Sequence, residues 1–401
     1  MAKLSAARKC ALRTQITARD RNVYPTHVVY EICDHANLTE ADRNFCVLLV
    51  RGVASYQITL DWAIDNALDK KPKMSAKVRD ALRISTYELL FMKKDAHVVV
   101  SQGVELVKSI AKNAAGLGNA ILHKVAEMEL PDDFALQNGF PAWLFDYLCE
   151  LYGEEGAKNF VHLSNDEPKL QFVANFLKPS KEPIVGVSAA IKAAKQGNVI
   201  IADKSAQAIA EEVALAMKQF GLQSLLEVGA GRGTKTALIE SFLASIGHKI
   251  SVHDVLDNAE SRLQKLQEKC DISDFQVTNV ICEDATTVSL NKKYDFVFID
   301  APCTGLGTLR RHPEIKSRIT EQEILDSAKL QLAILKNTSK FVSSDGLIFY
   351  STCSVAKEEN EGVIEKFLSS DAGKSFVLDH TVRQANLTNV TDAHYCACLK
   401  K

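Results

Sequence analysis

The segment YDFVFIDAPCTGLGTLRRHPE, residues Tyr294–Glu314, sets the fold class of this chain together with IFYSTCS at Ile348–Ser354. Each segment begins as an apolar run of strand length and then breaks at small or turn-forming residues. This pattern is typical of a buried parallel strand that ends in a loop. Ligands bind at the carboxyl ends of the strands in open α/β sheets. Because one loop contains Cys303 and the other Cys353, we expect two thiols to face one pocket.

The composition is that of a globular protein, and the net charge gives no indication of nucleic-acid binding. The chain has 401 residues, of which 46% are hydrophobic, and this length suits two or three domains. Lys and Arg total 48 against 50 Asp and Glu, so any basic surface must be local. The basic first residues lack the apolar core of a signal peptide, and no apolar run reaches membrane-spanning length. We therefore expect a cytoplasmic protein without membrane association.

The ten cysteines argue for a reducing compartment. No two of them have Cys-x-x-Cys spacing, which disfavours a zinc site and, in a long chain, a disulfide framework. We therefore predict no bound metal. Several of the remaining cysteines are expected to be small buried hydrophobes. These are Cys270, Cys282, Cys396 and Cys398.

A glycine-rich turn follows the apolar run Ser224–Val228 and leads into a helix. Glycines permit a tight turn and close approach of the backbone to a ligand. The turn, GAGRGTKT, has neither G-x-G-x-x-G nor P-loop spacing, which disfavours dehydrogenases and nucleoside triphosphatases. A loop that follows an acidic strand end suits S-adenosylmethionine, whose sulfonium and amino-acid tail need backbone groups and carboxylates. The predicted cofactor-binding residues are Gly229, Ala230, Gly231, Arg232, Gly233, Thr234 and Lys235.

Carboxylates follow the next predicted strands. Asp257 ends the second strand and is expected to accept hydrogen bonds from ribose hydroxyls. Asp254 is the alternative for that role, although the helix register relative to Arg262 favours Asp257. Asp284 follows the third strand, at a position from which it reaches the adenine edge, and Asp300 ends the fourth.

Residues 1–130 predict an all-helical domain. Phe45, Leu49 and Val53 fall on one helical face, and no alternating strand pattern competes. The segments ADRNFCVLLVRGV, residues 41–53, and VRDALRISTYELLFM, residues 78–92, resemble the NusB-like RNA-binding domain. The candidate phosphate contacts in this domain are Arg43, Arg51, Arg79 and Arg83.

The motifs around the two thiols extend the resemblance. DAPCTGLGTLRRHPEIK and the downstream YSTCSVAKEENEGVI are similar to the RNA cytosine-C5 methyltransferases of the RsmB/Sun type, whose Asp-Ala-Pro-Cys and Thr-Cys-Ser motifs they reproduce. The resemblance implies a NusB-like domain at 1–130, a connecting module at 131–183 and a methyltransferase domain at 184–401. It also implies a Rossmann-like fold, with a mostly parallel seven-stranded sheet and a C-terminal antiparallel strand.

The resemblance also implies a role for each cysteine. Cytosine C5 is a poor nucleophile, so a thiolate must first add to C6, and a nearby cation or helix N-terminus must favour that thiolate. Cys353 is the implied attacking thiol, and Cys303 assists release of the product. Asp300 contacts the cytosine edge, the methyl-bearing end of the cofactor, or both.

A local basic stretch follows the first loop. Arg310, Arg311 and Lys316 are predicted to hold RNA phosphates and to help extrude the target base from its stack. His312, which precedes a proline, is predicted to be structural rather than a general base.

These observations predict an S-adenosylmethionine-dependent methyltransferase that acts as a monomer on a cytosine C5 of ribosomal RNA, from the small subunit. One alternative is an RNA-binding or antitermination protein with an inactive catalytic half, suggested by Arg232 and Thr234, which depart from the loop usual in the family. A third possibility is DNA cytosine methylation, in which the Pro-Cys thiol, here Cys303, is the nucleophile.

Overall fold

A computed structural model describes residues 4–71, 73–383 and 391–401 and divides the chain into two compact units. The first unit combines Met1–Asp166 with Leu309–Arg318. The second combines Glu167–Thr308 with Ile319–Lys401. The division after Asp166 falls inside the segment predicted as a connecting module, so the domain boundaries at 130 and 183 stay predictions.

The first unit is helical. Its third helix begins after Thr39, whose hydroxyl accepts a hydrogen bond from the backbone N–H of Asp42 at 3.2 Å and so caps the helix. Leu49, Leu82 and Leu122 from three different helices are fully buried in one core. The helices are α1 (Ala6–Asp20), α2 (Pro25–His35), α3 (Glu40–Asp65), α4 (Ala76–Leu90), α5 (Ala96–Ile110), α6 (Ala115–Ala126), α7 (Phe134–Gln137) and α8 (Ala142–Asn165).

The second unit alternates strands and helices. Its strands are β1 (Phe172–Ala174), β2 (Val199–Ile201), β3 (Ser224–Val228), β4 (Val252–Asp257), β5 (Asn279–Cys282), β6 (Tyr294–Asp300), β7 (Val342–Thr352), β8 (Val377–Arg383) and β9 (Tyr395–Lys400). Its helices are α9 (Val187–Lys195), α10 (Lys204–Gln219), α11 (Thr234–Ser245), α12 (Glu260–Ser273), α13 (Glu321–Thr338) and α14 (Glu361–Leu368).

Seven strands form one sheet in the order β5-β4-β3-β6-β7-β9-β8, and β1 pairs with β2 separately. The neighbours from β5 to β7 run parallel, whereas β9 is antiparallel to both β7 and β8. The predicted fold class is therefore confirmed. Parallel pairing of β6 with β7, with Asp300 opposite Ser351, brings the two predicted motif loops to the same edge of the sheet.

Helices cover both faces of this sheet. Alternate residues of a strand point to opposite faces, so Leu225 packs with α10, α11 and α12, while Leu226 packs with α13 and α14. Burial on both faces explains why these strands read as continuous apolar runs in the sequence. The site at the carboxyl edge therefore stands on a sheet that is packed on both sides.

In the part of the chain that the structure describes, every helix is too short or too polar to cross a membrane.

Candidate active site

The glycine turn brings the backbone of β3 against the end of β6. Gly229 has φ +80°, and a Cβ atom there would lie 2.3 Å from the carbonyl oxygen of Asp300. Gly233 is left-handed with φ +73° directly before α11. Side chains at these two positions would clash or strain the backbone, so the turn requires glycine.

A cavity of about 380 Å³ opens at this edge of the sheet, within the range of small-molecule sites. Five of the predicted residues line it, namely Gly229, Gly231, Asp257, Asp284 and Asp300. Val228, Leu256, Ile299, Pro302, Leu330 and Ile334 form its apolar wall. The other predicted loop residues, Ala230, Arg232, Gly233, Thr234 and Lys235, lie outside this lining. A ligand in the cavity would therefore meet backbone and carboxylates on one side and aliphatic groups on the other.

Asp257 is the carboxylate most firmly held at the cavity. Its Oδ2 accepts a hydrogen bond from the backbone N–H of Gly231 at 2.9 Å. Its Oδ1 accepts from Ala259 at 2.9 Å and pairs with the Arg262 guanidinium at 2.6 Å. Asp254, the alternative, instead accepts from the Tyr294 hydroxyl at 2.7 Å and lies outside the cavity lining. The geometry thus favours Asp257 over Asp254 for a ligand contact.

Asp284 lies at the exposed rim of the cavity. Hydrogen bonds from the backbone N–H and the hydroxyl of Thr286 lower the pKa of this carboxyl. Asp284 is therefore ionised at neutral pH, and its contact with adenine stays a prediction.

Glu227, the acidic residue before the glycine turn, faces away from the cavity. Its carboxylate lies 3.2 Å from Nε2 of His253, whose Nδ1 lies 2.6 Å from Glu240. Burial alone would lower the pKa of His253, but its hydrogen bonds to Glu227 and Glu240 prevail and raise the pKa to about 9. The acidic strand end thus holds a buried ionic cluster rather than a ligand.

The two predicted thiols meet. The Sγ atoms of Cys303 and Cys353 are 3.0 Å apart, and both side chains are partly exposed. The hydrogen bond to Cys353, followed by burial, raises the pKa of the Cys303 thiol well above its ordinary value. The raised pKa favours the protonated form of Cys303, and the two sulfurs are close enough to share a hydrogen bond.

A largely buried cation lies beside this pair. The Lys235 ammonium lies 2.5 Å from Oδ1 of Asp300. Burial lowers the pKa of Lys235, but attraction to Asp300 and then to Cys353 and Cys303 outweighs it, so the pKa is raised. Lys235 is thus charged, and a nearby cation of this kind lowers the pKa of a thiol.

The sequence analysis missed Glu359 and Gln331, which tie the two thiol loops together. The buried Glu359 carboxylate accepts the backbone N–H of Thr304 at 2.9 Å and the hydroxyl of Ser354. Gln331 donates to Pro302 and to Glu359, both at 2.9 Å. No spacing in the sequence signals this convergence, because the partners come from three separate segments.

Burial contradicts part of the predicted RNA surface. In the helical unit Arg310 and Lys316 are only 6% and 1% exposed. The Lys316 ammonium donates to Asn165 at 2.7 Å and lies 4.4 Å from the centre of the Phe140 ring. Burial, together with repulsion from Arg51, holds the pKa of Lys316 well below its ordinary value. Neither buried side chain reaches a phosphate in this conformation.

The other predicted phosphate contacts are more accessible or already paired. Arg311 is exposed, and its RNA contact stays a prediction. Arg43 pairs with Asp34, and Arg51 donates to the backbone oxygens of Asp166 and Arg310. The remaining two candidates, Arg79 and Arg83, pair with Asp61, Asp65 and Asp80.

The other cysteines follow the prediction with one exception. Cys270, Cys396 and Cys398 are buried, whereas Cys282 is exposed. Cys282 ends β5, the edge strand of the sheet, so only one neighbouring strand covers it. The prediction that Cys282 is a buried hydrophobe was therefore wrong.

Among the described residues, one group of potential metal ligands converges outside the cavity. It consists of Asp379, His380 and Cys398. The Lys400 ammonium donates to Asp379 at 2.7 Å, so a side-chain cation already balances this carboxylate. The predicted lack of a metal stays a prediction.

Comparison with known proteins agrees with the two motif groups. Residues 213–394 match the family model of the 16S rRNA methyltransferase RsmB/F, and residues 5–127 match that of the NusB family. The chain is 24% identical to the probable ribosomal RNA small subunit methyltransferase B of Bacillus subtilis (strain 168), over 91% of this chain and 89% of that protein. It is 28% identical to the ribosomal RNA small subunit methyltransferase B of Thermus thermophilus, over 82% and 79%.

Solved structures share the fold. The crystal structure of PH0851 is similar with a TM-score of 0.79 and 19% identity, over 99% of this chain and 98% of that chain. NSun6 from Pyrococcus horikoshii with SFG is similar with a TM-score of 0.55 and 16% identity, over 65% and 98%. At these identities the likeness concerns the fold alone.

Proposed function

Because the chain belongs to the RsmB/F family of 16S rRNA methyltransferases and also carries a NusB family domain, we propose that it methylates C5 of a cytosine in small-subunit ribosomal RNA, with S-adenosylmethionine as the methyl donor. The family match supports the reaction class. The site described above supports the finer assignment of base, atom and residues.

The cavity fits S-adenosylmethionine in size and charge. Its volume is about 380 Å³, and Asp257, Asp284 and Asp300 are carboxylates on its wall, which suits a ligand with ribose hydroxyls and a positive sulfonium. The glycine turn leaves backbone groups accessible because no Cβ intervenes at Gly229 or Gly231. Bound there, S-adenosylmethionine supplies a methyl group to an electron-rich carbon.

Cys353 makes that carbon electron-rich. Its thiolate adds to C6 of the cytosine, a carbon–sulfur bond forms, and the electron pair of the C5–C6 double bond moves toward C5. C5 would then take the methyl group as the methyl–sulfonium bond of the donor breaks and S-adenosylhomocysteine leaves. Lys235 stabilises the thiolate before the attack, and Asp300 keeps Lys235 charged and in place. A water molecule at the open site then takes the C5 proton, the electron pair of the C5–H bond restores the C5–C6 double bond, and the C6–S bond breaks with its electron pair returning to Cys353 as a thiolate.

Cys303 assists this last step. Its sulfur lies 3.0 Å from that of Cys353, and it retains its proton because its pKa is raised. A protonated neighbour hydrogen-bonds to the sulfur that leaves as a thiolate, which favours elimination. The same arrangement disfavours Cys303 as the nucleophile, which the DNA methyltransferase alternative requires.

The observation that carries the proposal is the contact between the two sulfurs beside a charged lysine, at the edge of the sheet that also bears the acidic cavity. An inactive catalytic half has no need of this assembly. The departures at Arg232 and Thr234 fall outside the cavity lining, so they do not remove its carboxylates.

Incubation of the protein with small-subunit ribosomal RNA and methyl-labelled S-adenosylmethionine tests the proposal. We expect label in the RNA, and bisulfite sequencing of ribosomal RNA from cells with and without the protein locates one protected cytosine. Cys353→Ala prevents the covalent adduct, whereas Cys303→Ala lets it accumulate. RNA binding without transfer would favour the inactive alternative, and the opposite mutant pattern would exchange the two thiol roles.

A further inference from the structure

The two loops that contain Cys303 and Cys353 are both hydrogen-bonded to one buried side chain, that of Glu359. Glu359 is 0% exposed and belongs to the short turn Lys357–Glu359, which lies between Cys353 and α14. Its Oε1 accepts the backbone N–H of Thr304 at 2.9 Å, and its Oε2 accepts the Thr304 hydroxyl at 2.5 Å. Oε2 also accepts the Ser354 hydroxyl. Thr304 and Ser354 are the residues that directly follow Cys303 and Cys353.

Pro302, the residue before Cys303, and Tyr350, three residues before Cys353, are bonded to the same group of side chains. Gln331 donates to the carbonyl oxygen of Pro302 and to Oε1 of Glu359, both at 2.9 Å. The Tyr350 hydroxyl donates to the carbonyl oxygen of Glu359 at 2.6 Å. Each bond is buried or partly buried, where hydrogen bonds to a charged group are strong and an unmade bond is costly. Beyond the strand ends, the backbone N–H of Gly307 donates to the carbonyl oxygen of Cys353 at 2.9 Å, and Glu359 adds a side-chain link between the same two loops.

We propose that Glu359 is a positioning residue, whose carboxylate clamps Thr304 and Ser354 and thereby fixes the separation of the Cys303 and Cys353 sulfurs. The catalytic role of this clamp rests on the proposed methyl transfer, because it presupposes that the two thiols take part in that reaction. Glu359 does not line the cavity, so its role is to hold the thiols rather than the cofactor. A cytosine that bonds to one sulfur must meet the other at a fixed distance, and small displacements in such geometry are costly.

The charge of the carboxylate has a second effect. Glu359 lies close enough to Cys303 to contribute to its raised pKa, after the hydrogen bond to Cys353, burial and the charge of Cys353. The clamp thus also favours the protonated form of Cys303. Geometry and charge are separable, because a glutamine can keep the clamp without the charge. Its oxygen replaces Oε1, and its NH₂ donates to the Thr304 and Ser354 hydroxyls, which turn to accept.

Oxidative coupling of the two thiols measures the clamp directly. Diamide takes up two electrons and two protons from Cys303 and Cys353 as the disulfide forms, and the linked peptides are counted by mass spectrometry after digestion. We expect coupling in Glu359→Ala to be slower by at least about tenfold, because the loops separate. Glu359→Gln should couple within about twofold of the unmodified protein, because its clamp persists. The exposed Glu365→Gln on α14 is the matched control and should change nothing.

Alkylation measures the charge effect. In a Cys353→Ala background, the pH midpoint for modification of Cys303 by iodoacetamide should fall when Glu359 becomes Gln, with a rate at pH 8 that is roughly threefold higher. A packing role alone would not move this midpoint. In methyl transfer, kcat for Glu359→Ala should fall by about 100-fold while KM for RNA stays within about twofold.

Wild-type coupling in a folded Glu359→Ala protein would overturn the clamp. If that variant does not fold, as judged by its melting curve, Thr304→Val removes one hydroxyl from the clamp with little change in shape. Its coupling should slow by about threefold, and an unchanged rate would refute the proposal. Coupling and alkylation need neither RNA nor S-adenosylmethionine. A wild-type protein that fails to methylate RNA would therefore refute the proposed function and leave the clamp to be judged by these two measurements.

Discussion

Two regions of the molecule each contain a lysine, largely buried in one and fully buried in the other, and the pKa values of the two lysines shift in opposite directions. At the carboxyl edge of the sheet, Lys235 faces the Asp300 carboxylate at 2.5 Å, and its pKa is raised by that partner. In the helical unit, Lys316 faces the Asn165 amide and the Phe140 ring, and its pKa is held well below the ordinary value, by burial first. Both follow motifs that the sequence presents as functional.

The opposite pKa shifts distinguish a lysine at a reactive site from a lysine that is part of the packed interior. A buried cation with a carboxylate and two thiols beside it is an electrostatic element of a reactive site. A buried ammonium with an amide and aromatic rings is tolerated by the fold at a cost in stability. Counting basic residues in a sequence does not distinguish the two, because the partner is brought from elsewhere in the chain.

Matched substitutions of the two lysines give the largest expected contrast. Lys235→Met should lower methyl transfer by about 100-fold or more, because Asp300 and the Cys353 thiolate lose their cation. Lys316→Met should change it by less than about twofold, because the contacts of Lys316 with Asn165 and Phe140 belong to the packing of the helical unit. Single-turnover transfer of a labelled methyl group to ribosomal RNA measures both.

Equal losses of methyl transfer in Lys235→Met and Lys316→Met would contradict this difference between the two lysines.

The free energy of unfolding provides a second test. A lysine whose pKa is lowered by folding costs stability at pH values below its folded-state pKa, and this cost decreases as pH rises toward the pKa of the unfolded state. The stability advantage of Lys316→Met over the unmodified protein should therefore be greatest below the folded-state pKa of Lys316 and should vanish in alkali.

His253 is a third buried cation and extends the comparison to two carboxylate partners. Its pKa is raised to about 9 from the ordinary value of 6.5, so its contribution to stability is fully present below pH 6.5 and is lost as pH rises through 9. We expect a loss of up to about 3 kcal/mol relative to His253→Gln over this range. Urea unfolding of both proteins at pH 6 and pH 9.5 measures it. A difference that stays constant, or grows with pH, would contradict the ionic cluster.

Asp257→Ala tests whether the cavity carboxylate binds cofactor or only holds Arg262. Loss of a hydrogen-bond acceptor for the ribose should weaken S-adenosylmethionine by about tenfold, with RNA affinity changed by less than about twofold. Calorimetric titration with each ligand checks this. Asp284→Ala, at the exposed rim, is the comparison variant and should cost about threefold. Equal losses for cofactor and RNA would place Asp257 outside the cofactor site.

Arg311→Gln gives the smallest expected effect and tests the one predicted arginine of its segment that is exposed rather than buried. If Arg311 contacts a phosphate, RNA affinity should fall by about threefold. The slope of log affinity against log salt concentration should also decrease in magnitude by about one. Filter binding across a salt series measures this. An unchanged slope would assign Arg311, like Lys316, to the structure of the helical unit.

The strand ends were predictable from the sequence because apolar runs and the turn-forming residues that end them are local features. Apolar runs that stop at Asp300 and Thr352 require loops at one edge of a parallel sheet, and Cys303 and Cys353 meet there. Helix register likewise selected Asp257, since its partner Arg262 is five residues away. The clamp at Glu359 was not predictable, because two of its partners, Thr304 and Gln331, lie 55 and 28 residues away in the sequence. The burial of Lys316 was not predictable either, because its partner Asn165 lies 151 residues away in the sequence.

The account rests on a bond between Cys353 and cytosine C6, and one trapping experiment tests it most directly. In small-subunit ribosomal RNA that carries 5-fluorocytosine, C5 has no proton to lose, so the adduct cannot eliminate and persists. After incubation with S-adenosylmethionine and digestion, we predict that mass spectrometry finds the methylated nucleotide on the peptide that contains Cys353. Attachment to Cys303, or full methyl transfer to ordinary RNA with no trapped adduct, would contradict the account.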